Sequence, residues 1–349
     1  MARVGIVGYG LAGAGFHVPL ARAAGLEIAG VVTRAPERVA RAAADLPDAQ
    51  VVPDLETLLG LPELDLVVVA SPSGSHVEHA RSVLAAGIPV VVDKPLACEA
   101  GEGAALVEEA RQHGIPLTVF QNRRWDPEFR TALDLVRSGA LGDLHRTELR
   151  WERWRPRSLG RWRETQSAAE GGGLLLDLVT HLVDQAVVLH GPVATVYAEL
   201  AARTTHAEDD VFLALRHADG HPTHVFASSV AGASGPRMRI GGSAGTFVLG
   251  SAGTEGTSFP DADGGPGQHG WLVRGADREP VTARAADPAD FYRQVAAALA
   301  SDHPQTAMPV DPREAVHVLA VLDAARASAE AGHIVEVRTP DCQPGVAPA

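Results

Sequence analysis

Short apolar runs alternate with amphipathic segments over residues 1–120. The apolar runs predict strands at 3–7, 27–33, 50–52, 64–70, 90–92 and 117–120, and the segments between them predict helices near 37–46, 55–59, 77–86 and 99–113. Strands that are apolar throughout and separated by helices are typical of a parallel sheet buried on both faces. Ligands of such sheets bind at the carboxyl ends of the strands.

From residue 144 onwards the apolar positions alternate with a period close to two, which favours a largely antiparallel sheet with one covered face. Strands are predicted at 144–154, 194–200, 211–217, 223–230, 237–240, 246–249, 271–273 and 333–338. Asp-Pro pairs predict the starts of helices at 126–138, 287–300 and 311–331. Residues 251–270 predict a mobile loop, and the proline-rich end predicts a disordered tail.

Composition and charge exclude several classes of protein. A chain of 349 residues is too long for one ordinary core, so two domains are expected. A net charge of −13 argues against nucleic acid or a membrane surface as the main partner. The only cysteines, Cys98 and Cys342, indicate neither a disulfide framework nor a metal site. No apolar run suits a membrane span or a signal peptide, so a cytoplasmic location is expected.

A helical segment follows the first predicted strand, and the turn between them reads Gly8-Tyr9-Gly10-Leu11-Ala12-Gly13. G-x-G-x-x-G in this setting is typical of a dinucleotide-binding loop. Gly8 permits the turn, Gly10 lets the backbone approach a pyrophosphate, and Gly13 allows the helix to pack against the strand. The loop and the sheet together predict a doubly wound Rossmann domain over 1–121.

Two arginines follow the second predicted strand, where an acidic residue normally holds the adenine ribose of NAD. The segment carries Thr33, Arg34 and Arg38. Two guanidinium groups and a hydroxyl group suit the 2′-phosphate that distinguishes NADP from NAD. NADP is therefore predicted as the preferred cofactor. The alternatives are a solvated pair of surface arginines and NAD as the cofactor.

Two further segments follow predicted strands and would face a cofactor. The first contains Ser71, Pro72, Ser73 and His76. His76 would also suit an ordinary helix entry. The second, Asp93-Lys94-Pro95, places Lys94 where it would meet the nicotinamide end of a dinucleotide, and the alternative is a surface lysine before a helix. The sequence leaves the isomer of the Lys94–Pro95 bond open.

A third candidate site follows three glycines in the second half of the chain. Apolar residues recur there at helical spacing, and Asp177 and His181 stand four residues apart on one predicted helix face. A carboxylate at that spacing can prepare an imidazole to take or give a proton near neutral pH. The alternative is a buried structural pair. Gly171 to Gly173 would leave room for a bulky hydroxylated ring.

These motifs, in this order, resemble the Gfo/Idh/MocA family of oxidoreductases over nearly the whole chain. The segments 120–126, 162–164 and 171–173 are most similar to the branch that includes NADP-dependent scyllo-inositol dehydrogenases and related sugar dehydrogenases. Asp93 departs from the commoner glutamate of the E-K-P motif by one methylene group. Arg34 departs from the acid of NAD-binding members.

The resemblance implies roles for individual residues. Lys94 would hydrogen-bond the reacting oxygen, and Asp177 and His181 would position the substrate and transfer the proton. Further cofactor contacts are implied for the segments named above and for Asp93, Asn122, Trp162, Arg163 and Tyr292. Further substrate contacts are expected of Arg123, Trp125 and Arg153, the last in a patch rich in tryptophan and arginine that suits a phosphate group or a polyol ring. The alternative for this patch is a solvated loop with anchoring tryptophans.

The expected protein is an α/β enzyme with a Rossmann domain at 1–121, an α+β domain with an open, largely antiparallel sheet at 122–340, and a tail at 341–349. An alternative is that the C-terminal helices pack back on the first domain. It would move a hydride between the nicotinamide and a secondary alcohol or carbonyl of a sugar or cyclitol. The alternatives are glycoside cleavage through bound NAD(P) without net redox, and a non-enzymatic sensor of a dinucleotide or metabolite. A homodimer or homotetramer through the second sheet is also implied.

Overall fold

The computed structural model describes residues 1–250 and 268–340, which divide into two compact units. As far as they are described, the first unit contains Met1–Asn122 and Pro288–Val316, and the second contains Arg123–Asp287 and His317–Thr339. The segment Pro288–Val316, which comes late in the sequence, thus belongs to the same unit as the first 122 residues. The mobile loop predicted at 251–270 lies mostly, and the tail predicted at 341–349 wholly, outside the described residues.

Strands and α-helices are numbered separately in chain order. The strands are β1 (Arg3–Val7), β2 (Glu27–Val32), β3 (Gln50–Val52), β4 (Leu66–Val69), β5 (Val90–Asp93), β6 (Leu117–Phe120), β7 (Leu144–Glu152), β8 (Val193–Ala201), β9 (Asp210–His217), β10 (Pro222–Ser228), β11 (Met238–Gly242), β12 (Gly245–Leu249), β13 (Gln268–Arg274), β14 (Asp277–Thr282) and β15 (Val335–Glu336). The α-helices are α1 (Val18–Ala23), α2 (Pro36–Asp45), α3 (Leu55–Leu59), α4 (His76–Ala85), α5 (Ala100–His113), α6 (Pro127–Arg137), α7 (Trp162–Thr165), α8 (Thr180–His190), α9 (Asp290–Leu299), α10 (Pro304–Ala307) and α11 (Pro312–Ala331). Two π-helical turns lie at Gly13–His17 and Leu175–Val179. Of the helices in the described ranges, none is long and apolar enough to span a membrane.

A six-stranded parallel sheet forms the centre of the first unit, in the order β3-β2-β1-β4-β5-β6. Its middle is buried on both faces, since every residue of Leu66–Val69 is 0% exposed. The strand order reverses between β1 and β4, and doubly wound sheets bind ligands in the crevice at such a point. The predicted Rossmann-like parallel sheet is confirmed.

A nine-stranded sheet forms the centre of the second unit, in the order β14-β13-β12-β11-β7-β10-β9-β8-β15. Neighbouring strands are antiparallel except β7 and β10, which are parallel. In β9, Val211, Leu213 and Leu215 are buried and alternate with more exposed residues. The prediction of a largely antiparallel sheet is confirmed.

Two strands of this sheet differ from the predictions. Strand β14 is missed by the hydrophobic pattern, because it begins Asp277-Arg278-Glu279 and is mostly exposed. The last strand is limited to Val335–Glu336, because these are the residues of the segment that pair with β8. Both differences concern an edge of the sheet, where one neighbouring strand suffices and an apolar pattern is not needed.

Candidate active site

The glycine loop after β1 has the geometry of a dinucleotide-binding loop. Gly8 has a φ of +105°, and a Cβ atom on it would lie 2.6 Å from the Ala70 carbonyl oxygen. A Cβ atom on Gly13 would collide with the Gly8 carbonyl oxygen, whereas one on Gly10 would meet no described atom within 4 Å. Packing therefore requires glycine at positions 8 and 13, and Gly10 borders open space.

The side chain of Tyr9, within this loop, is turned into the protein. Its ring is 2% exposed, and its hydroxyl donates a hydrogen bond to Asp45 Oδ2 at 2.8 Å. Burial, assisted by the hydrogen bond to Asp45, raises the pKa of Tyr9 to about 12. The side chain is thus a contact with α2, and the backbone of Tyr9 is the part that belongs to the loop.

The predicted contacts for the adenine ribose lie at the carboxyl end of β2. Thr33 is buried. Arg34 Nε donates a hydrogen bond to the Pro53 carbonyl oxygen at 2.8 Å, which holds the guanidinium group beside the end of β3. Arg34 and Arg38 are both exposed. Two solvent-accessible cations therefore stand at this edge of the sheet.

His76 ties the loop after β4 to the segment that carries Lys94. Its ring is 1% exposed, its Nδ1 lies 2.7 Å from the Pro95 carbonyl oxygen, and its Nε2 lies 2.8 Å from the Ser71 carbonyl oxygen. Burial lowers the pKa of His76, while the charge of Asp93 and the two carbonyl contacts oppose this effect. Both ring nitrogens face protein oxygens, which leaves neither for the predicted contact with a cofactor.

Lys94 stands at the carboxyl end of β5, an interior strand that pairs with β4 and β6. The residue is partly exposed. Asp93 Oδ1 accepts a hydrogen bond from the Lys94 backbone nitrogen at 2.8 Å, so the carboxylate is held at the base of the lysine. The Lys94–Pro95 peptide bond is cis.

A buried line of polar groups leads from Asp93 into the core of the first unit. His17 Nε2 lies 3.7 Å from Asp93 Oδ1, and His17 Nδ1 lies 2.6 Å from the Tyr292 hydroxyl. His17 and Tyr292 are both 0% exposed, and burial raises the pKa of Tyr292 well above its usual value. The predicted cofactor contact Tyr292 thus has its hydroxyl on His17, which the sequence motifs do not single out.

A buried side-chain oxygen directly after β6 accepts no hydrogen bond from the described residues. Gln121 is 2% exposed, and its Oε1 has no hydrogen-bond partner within the described ranges. A buried acceptor of this kind is usually paired, and a ligand or an ordered water can supply the donor. The open space at Gly10, the cations after β2 and this acceptor fit a dinucleotide, which the loop N–H groups would hold by its pyrophosphate.

In the second unit, Asp177 and His181 do not share one regular α-helix. Leu175–Val179 forms a π-helical turn, and α8 begins directly after it. The predicted helix is present, but it contains a π-helical turn, because apolar spacing does not reveal the wider hydrogen-bonding ring of such a turn. Glu208 Oε1 accepts a hydrogen bond from the Leu175 backbone nitrogen at 3.1 Å, at the start of this turn.

Two of the three glycines that precede this turn are surrounded by protein atoms. A Cβ atom on Gly172 would collide with the Gln166 carbonyl oxygen, and one on Gly173 would collide with the Glu208 carboxylate. Gly171 and Gly173 also have a φ of +91°. The prediction of room for a hydroxylated ring is therefore wrong for Gly172 and Gly173, where the chain packs closely on itself.

Asp177 has a cationic partner within the second unit. Arg163 Nε lies 3.2 Å from Asp177 Oδ1, and the side chains are 34% and 22% exposed. The same guanidinium group lies 4.3 Å from the centre of the Trp162 ring. Arg163 and Trp162, both predicted to contact the cofactor, thus form one cluster with the carboxylate.

His181 packs against Trp151 of β7. The two ring centres are 6.1 Å apart with planes inclined by 30°, and His181 is 6% exposed. The guanidinium groups of Arg237 and Arg123 lie 3.8 Å and 4.8 Å from the centre of the Trp151 ring. Trp151 belongs to the tryptophan- and arginine-rich patch seen in the sequence, whereas no motif points to Arg237.

Each of these two arginines also lies close to a carboxylate group. Arg123 Nη1 donates a hydrogen bond to Asp126 Oδ2 at 2.9 Å, and Arg237 Nε lies 3.9 Å from Glu128 Oε1. Burial raises the pKa of both carboxyl groups, although the guanidinium groups act in the opposite direction. The predicted substrate contact Arg123 is thus engaged by Asp126 and by the Trp151 ring.

The other predicted site residues differ in exposure. Ser73 and Trp125 are buried, Ala12, Ser71, Asn122 and Arg153 are partly exposed, and Leu11 and Pro72 are exposed. Arg153 Nε donates a hydrogen bond to Ser229 Oγ at 3.3 Å. Residues 1–250 and 268–340 contain no group of three or more His, Cys, Asp or Glu side chains that could hold a metal ion.

Comparisons with known proteins agree with this architecture. Residues 2–121 match a family model described as "Oxidoreductase family, NAD-binding Rossmann fold", and residues 129–248 match one described as "GFO/IDH/MocA C-terminal domain". A Bacillus subtilis (strain 168) protein named scyllo-inositol 2-dehydrogenase (NADP(+)) IolW is 34% identical over 343 residues, which is 94% of each chain.

Solved structures show the same arrangement of elements over almost the full length. The yvaA protein of Bacillus subtilis is 30% identical with a TM-score of 0.82, and the match covers 96% of this chain and 98% of that one. The YPO2259 protein of Yersinia pestis is 29% identical with a TM-score of 0.84, covering 97% and 98%. The chain therefore belongs to the Gfo/Idh/MocA family of NAD(P)-binding oxidoreductases.

Proposed function

We propose that this protein is a dehydrogenase or reductase that prefers NADP and acts on a secondary alcohol or carbonyl group of a sugar or cyclitol. The observation that carries the proposal is the position of Lys94 at the carboxyl end of an interior strand, with Asp93 held at its base. When bound, the nicotinamide would supply or accept the hydride. The name of the Bacillus subtilis relative supports both the cofactor and the substrate class.

Three side chains would handle charge and protons in this reaction. Lys94 would donate a hydrogen bond to the reacting oxygen and stabilise the negative charge that develops there. His181 would take the hydroxyl proton when an alcohol is oxidised and return it when a carbonyl is reduced. Asp177 would orient the His181 ring and favour its charged form.

Arg163 would support Asp177 in this role. A guanidinium group 3.2 Å from a carboxylate oxygen favours the ionised carboxylate and restricts its rotation. The cation also lies over the Trp162 ring, which limits its own motion. Arg163 is therefore proposed to act through Asp177, in addition to any contact that it makes with the cofactor.

The preference for NADP is supported by the two arginines after β2. Arg34 and Arg38 are exposed, and the bond from Arg34 Nε to the Pro53 carbonyl oxygen fixes the direction of the guanidinium group. A fixed guanidinium group binds a phosphate better than a freely rotating one, because less conformational entropy is lost. No carboxylate occupies positions 33 to 38 other than Glu37.

A ring-shaped, hydroxylated substrate is supported by the surroundings of His181. Trp151 is partly exposed and lies beside the residue that is proposed to transfer the proton. Cation–π contacts with its ring hold the two guanidinium groups of Arg237 and Arg123 in place. The guanidinium groups of Arg123 and Arg237 carry several N–H donors for hydroxyl groups.

The oligomeric state is proposed to be a homodimer or homotetramer built through the face of the nine-stranded sheet that carries Phe212 and Phe226. These rings lie 5.1 Å apart, and the Arg150 guanidinium group lies 4.1 Å from the centre of the Phe226 ring. Clustered aromatic residues that are not buried in the core favour an interface. Light scattering should give the mass of a dimer or tetramer, and the mass of a monomer would contradict this proposal.

A panel of cyclitols, aldoses and keto-sugars, assayed by the absorbance of NADPH and of NADH, tests the function. We expect oxidation or reduction of at least one compound with NADP(H). Product formation without a net change in the cofactor would identify glycoside cleavage through transient oxidation. Tight dinucleotide binding without turnover would identify a sensor. Either of the last two results would contradict the proposal.

A further inference from the structure

His17 connects two residues that lie far apart in the sequence, Asp93 and Tyr292. His17 belongs to the π-helical turn after the glycine loop, Asp93 ends β5, and Tyr292 belongs to α9. The Tyr292 hydroxyl lies 2.6 Å from His17 Nδ1, and Asp93 Oδ1 lies 3.7 Å from His17 Nε2. The line ends at Lys94, whose backbone nitrogen donates to the same carboxylate oxygen.

The chemistry of the three groups determines where the protons lie. A neutral imidazole has one donor nitrogen and one acceptor nitrogen. An ionised Asp93 offers acceptor atoms only, so the nitrogen that faces it, Nε2, carries the ring proton. If the ring is neutral, Nδ1 is then the acceptor, and the Tyr292 hydroxyl is the donor. At 3.7 Å the contact with Asp93 is electrostatic and longer than a hydrogen bond.

The ring of His17 is also held sterically. Its centre lies 4.3 Å from the centre of the Phe120 ring, which in turn packs edge-to-face on Phe291 at 5.0 Å. Because interiors are close-packed, the imidazole cannot rotate away from Asp93 without opening this aromatic cluster. The position of the Nε2–H group is thus fixed from two sides.

Asp93 is faced by several charged or titratable groups. Burial raises its pKa, but the nearby His17, the Lys94 ammonium group and His76 lower it, and the net shift is downward. The carboxylate is 13% exposed.

We propose that His17 is a positioning residue for Lys94: with Tyr292 it holds the Asp93 carboxylate in place, so that the lysine meets the reacting oxygen in a constant direction. The inference rests on the proposed hydride transfer, in which Lys94 binds that oxygen. Tyr292 would therefore act through His17 and Asp93, and its fully buried hydroxyl would contribute to turnover rather than to cofactor affinity.

Three variants test the proposal. His17→Leu removes both ring nitrogens, His17→Gln retains an N–H donor toward Asp93, and Tyr292→Phe removes one hydroxyl group and keeps the ring. We expect kcat to fall about 10- to 100-fold in His17→Leu and about 10-fold in Tyr292→Phe, and His17→Gln to recover part of the loss. The Kd of NADP, measured by fluorescence titration, should change less than about threefold. His113→Gln, at the exposed end of α5, is the matched control.

A second readout does not depend on turnover. Nitrogen-15 spectra of the imidazole should show the Nε2–H tautomer of His17 in the unaltered protein and a mixed or shifted tautomer in Tyr292→Phe. An Nδ1–H tautomer, or a kcat within threefold of the unaltered protein in Tyr292→Phe, would overturn the inference. If the unaltered protein turns over no substrate, the proposed function fails, and the spectra alone decide the role of His17.

Discussion

Arg163 Nε lies 3.2 Å from Asp177 Oδ1, so the carboxylate proposed to orient His181 is itself held by a cation. We expect Arg163→Met to lower kcat/KM about 10-fold, because the carboxylate gains rotational freedom. Arg157→Met, which changes an exposed arginine six residues before Arg163, is the control. Steady-state kinetics that do not separate Arg163→Met from this control would refute the role of Arg163.

Asp177→Asn should lower kcat about 100-fold, since the amide no longer favours the charged imidazole. The same steady-state kinetics check this value.

The direction of Arg34 makes a prediction about cofactor choice. Replacing Arg34 by serine removes a charge-assisted contact with the 2′-phosphate, which is worth about 1.5–3 kcal/mol. The Kd of NADP should rise about 10- to 100-fold, whereas the Kd of NAD should change less than about threefold. Arg111→Ser, on the exposed end of α5, should change neither value. Tighter binding of NAD than of NADP by the unaltered protein would show that the interpretation of Arg34 is wrong.

A histidine cluster in the second unit predicts how stability depends on pH. The His190 and His221 rings stack with centres 3.9 Å apart, and both Nε2 atoms contact Thr147 Oγ1, at 2.8 Å and 3.1 Å. Burial, reinforced by the neighbouring histidines, lowers the pKa of His190 to about 3 and that of His221 to about 4. Both rings are therefore neutral in the folded protein at pH 5.

In the unfolded chain these histidines bind protons below about pH 6.5. The unfolded state thus binds more protons than the folded state between about pH 6.5 and pH 4, and the free energy of unfolding must decrease as the pH falls through this window. Urea unfolding at pH 7.5, 6.5, 5.5 and 4.5 should show this decrease, with a weaker dependence in His190→Gln. An equal pH dependence in both proteins would argue against the cluster as its source.

The backbone conformation of Gly173 predicts an effect on stability that does not depend on the reaction. Alanine at this position combines a φ of +91° with a collision between its Cβ atom and the Glu208 carboxylate. Gly173→Ala should lower the free energy of unfolding by at least about 1–3 kcal/mol. Gly101→Ala is the matched control, because its Cβ atom in α5 would meet no described atom within 4 Å and alanine favours a helix. Equal melting temperatures of the two variants would contradict this account.

The parts of the fold that follow from local spacing are predictable from the sequence. Apolar runs and the glycine turn predict the parallel sheet, because each buried strand must be apolar on both faces and Gly8 must adopt a positive φ. The position of Lys94 in the candidate site is predictable for the same reason, since a residue at the end of such a strand lies at the ligand-binding edge. Strand β14 cannot be predicted in this way, because its side chains are mostly exposed and show no alternation of apolar and polar residues.

The finer structure of the candidate site depends on contacts that spacing does not encode. The two π-helical turns differ from α-helix by one hydrogen-bonding step, and they contain His17 and Asp177. The contact of His17 with Tyr292 joins residues 275 positions apart. In the sequence, Gly172 and Gly173 suggest that the structure has open space at these positions. The atoms that fill this space belong to other residues of the chain, which the glycines themselves do not reveal.

The central claim is that Lys94 stabilises the negative charge on the reacting oxygen. Lys94→Ala should lower kcat at least about 100-fold for the best substrate of the polyol and sugar panel. Its Kd for NADP should stay within about threefold of that of the unaltered protein, because the glycine loop and the arginines after β2 are unchanged. This combination, measured by NADPH absorbance and by fluorescence titration of the same preparation, is the predicted result. Undiminished turnover by Lys94→Ala would contradict the account.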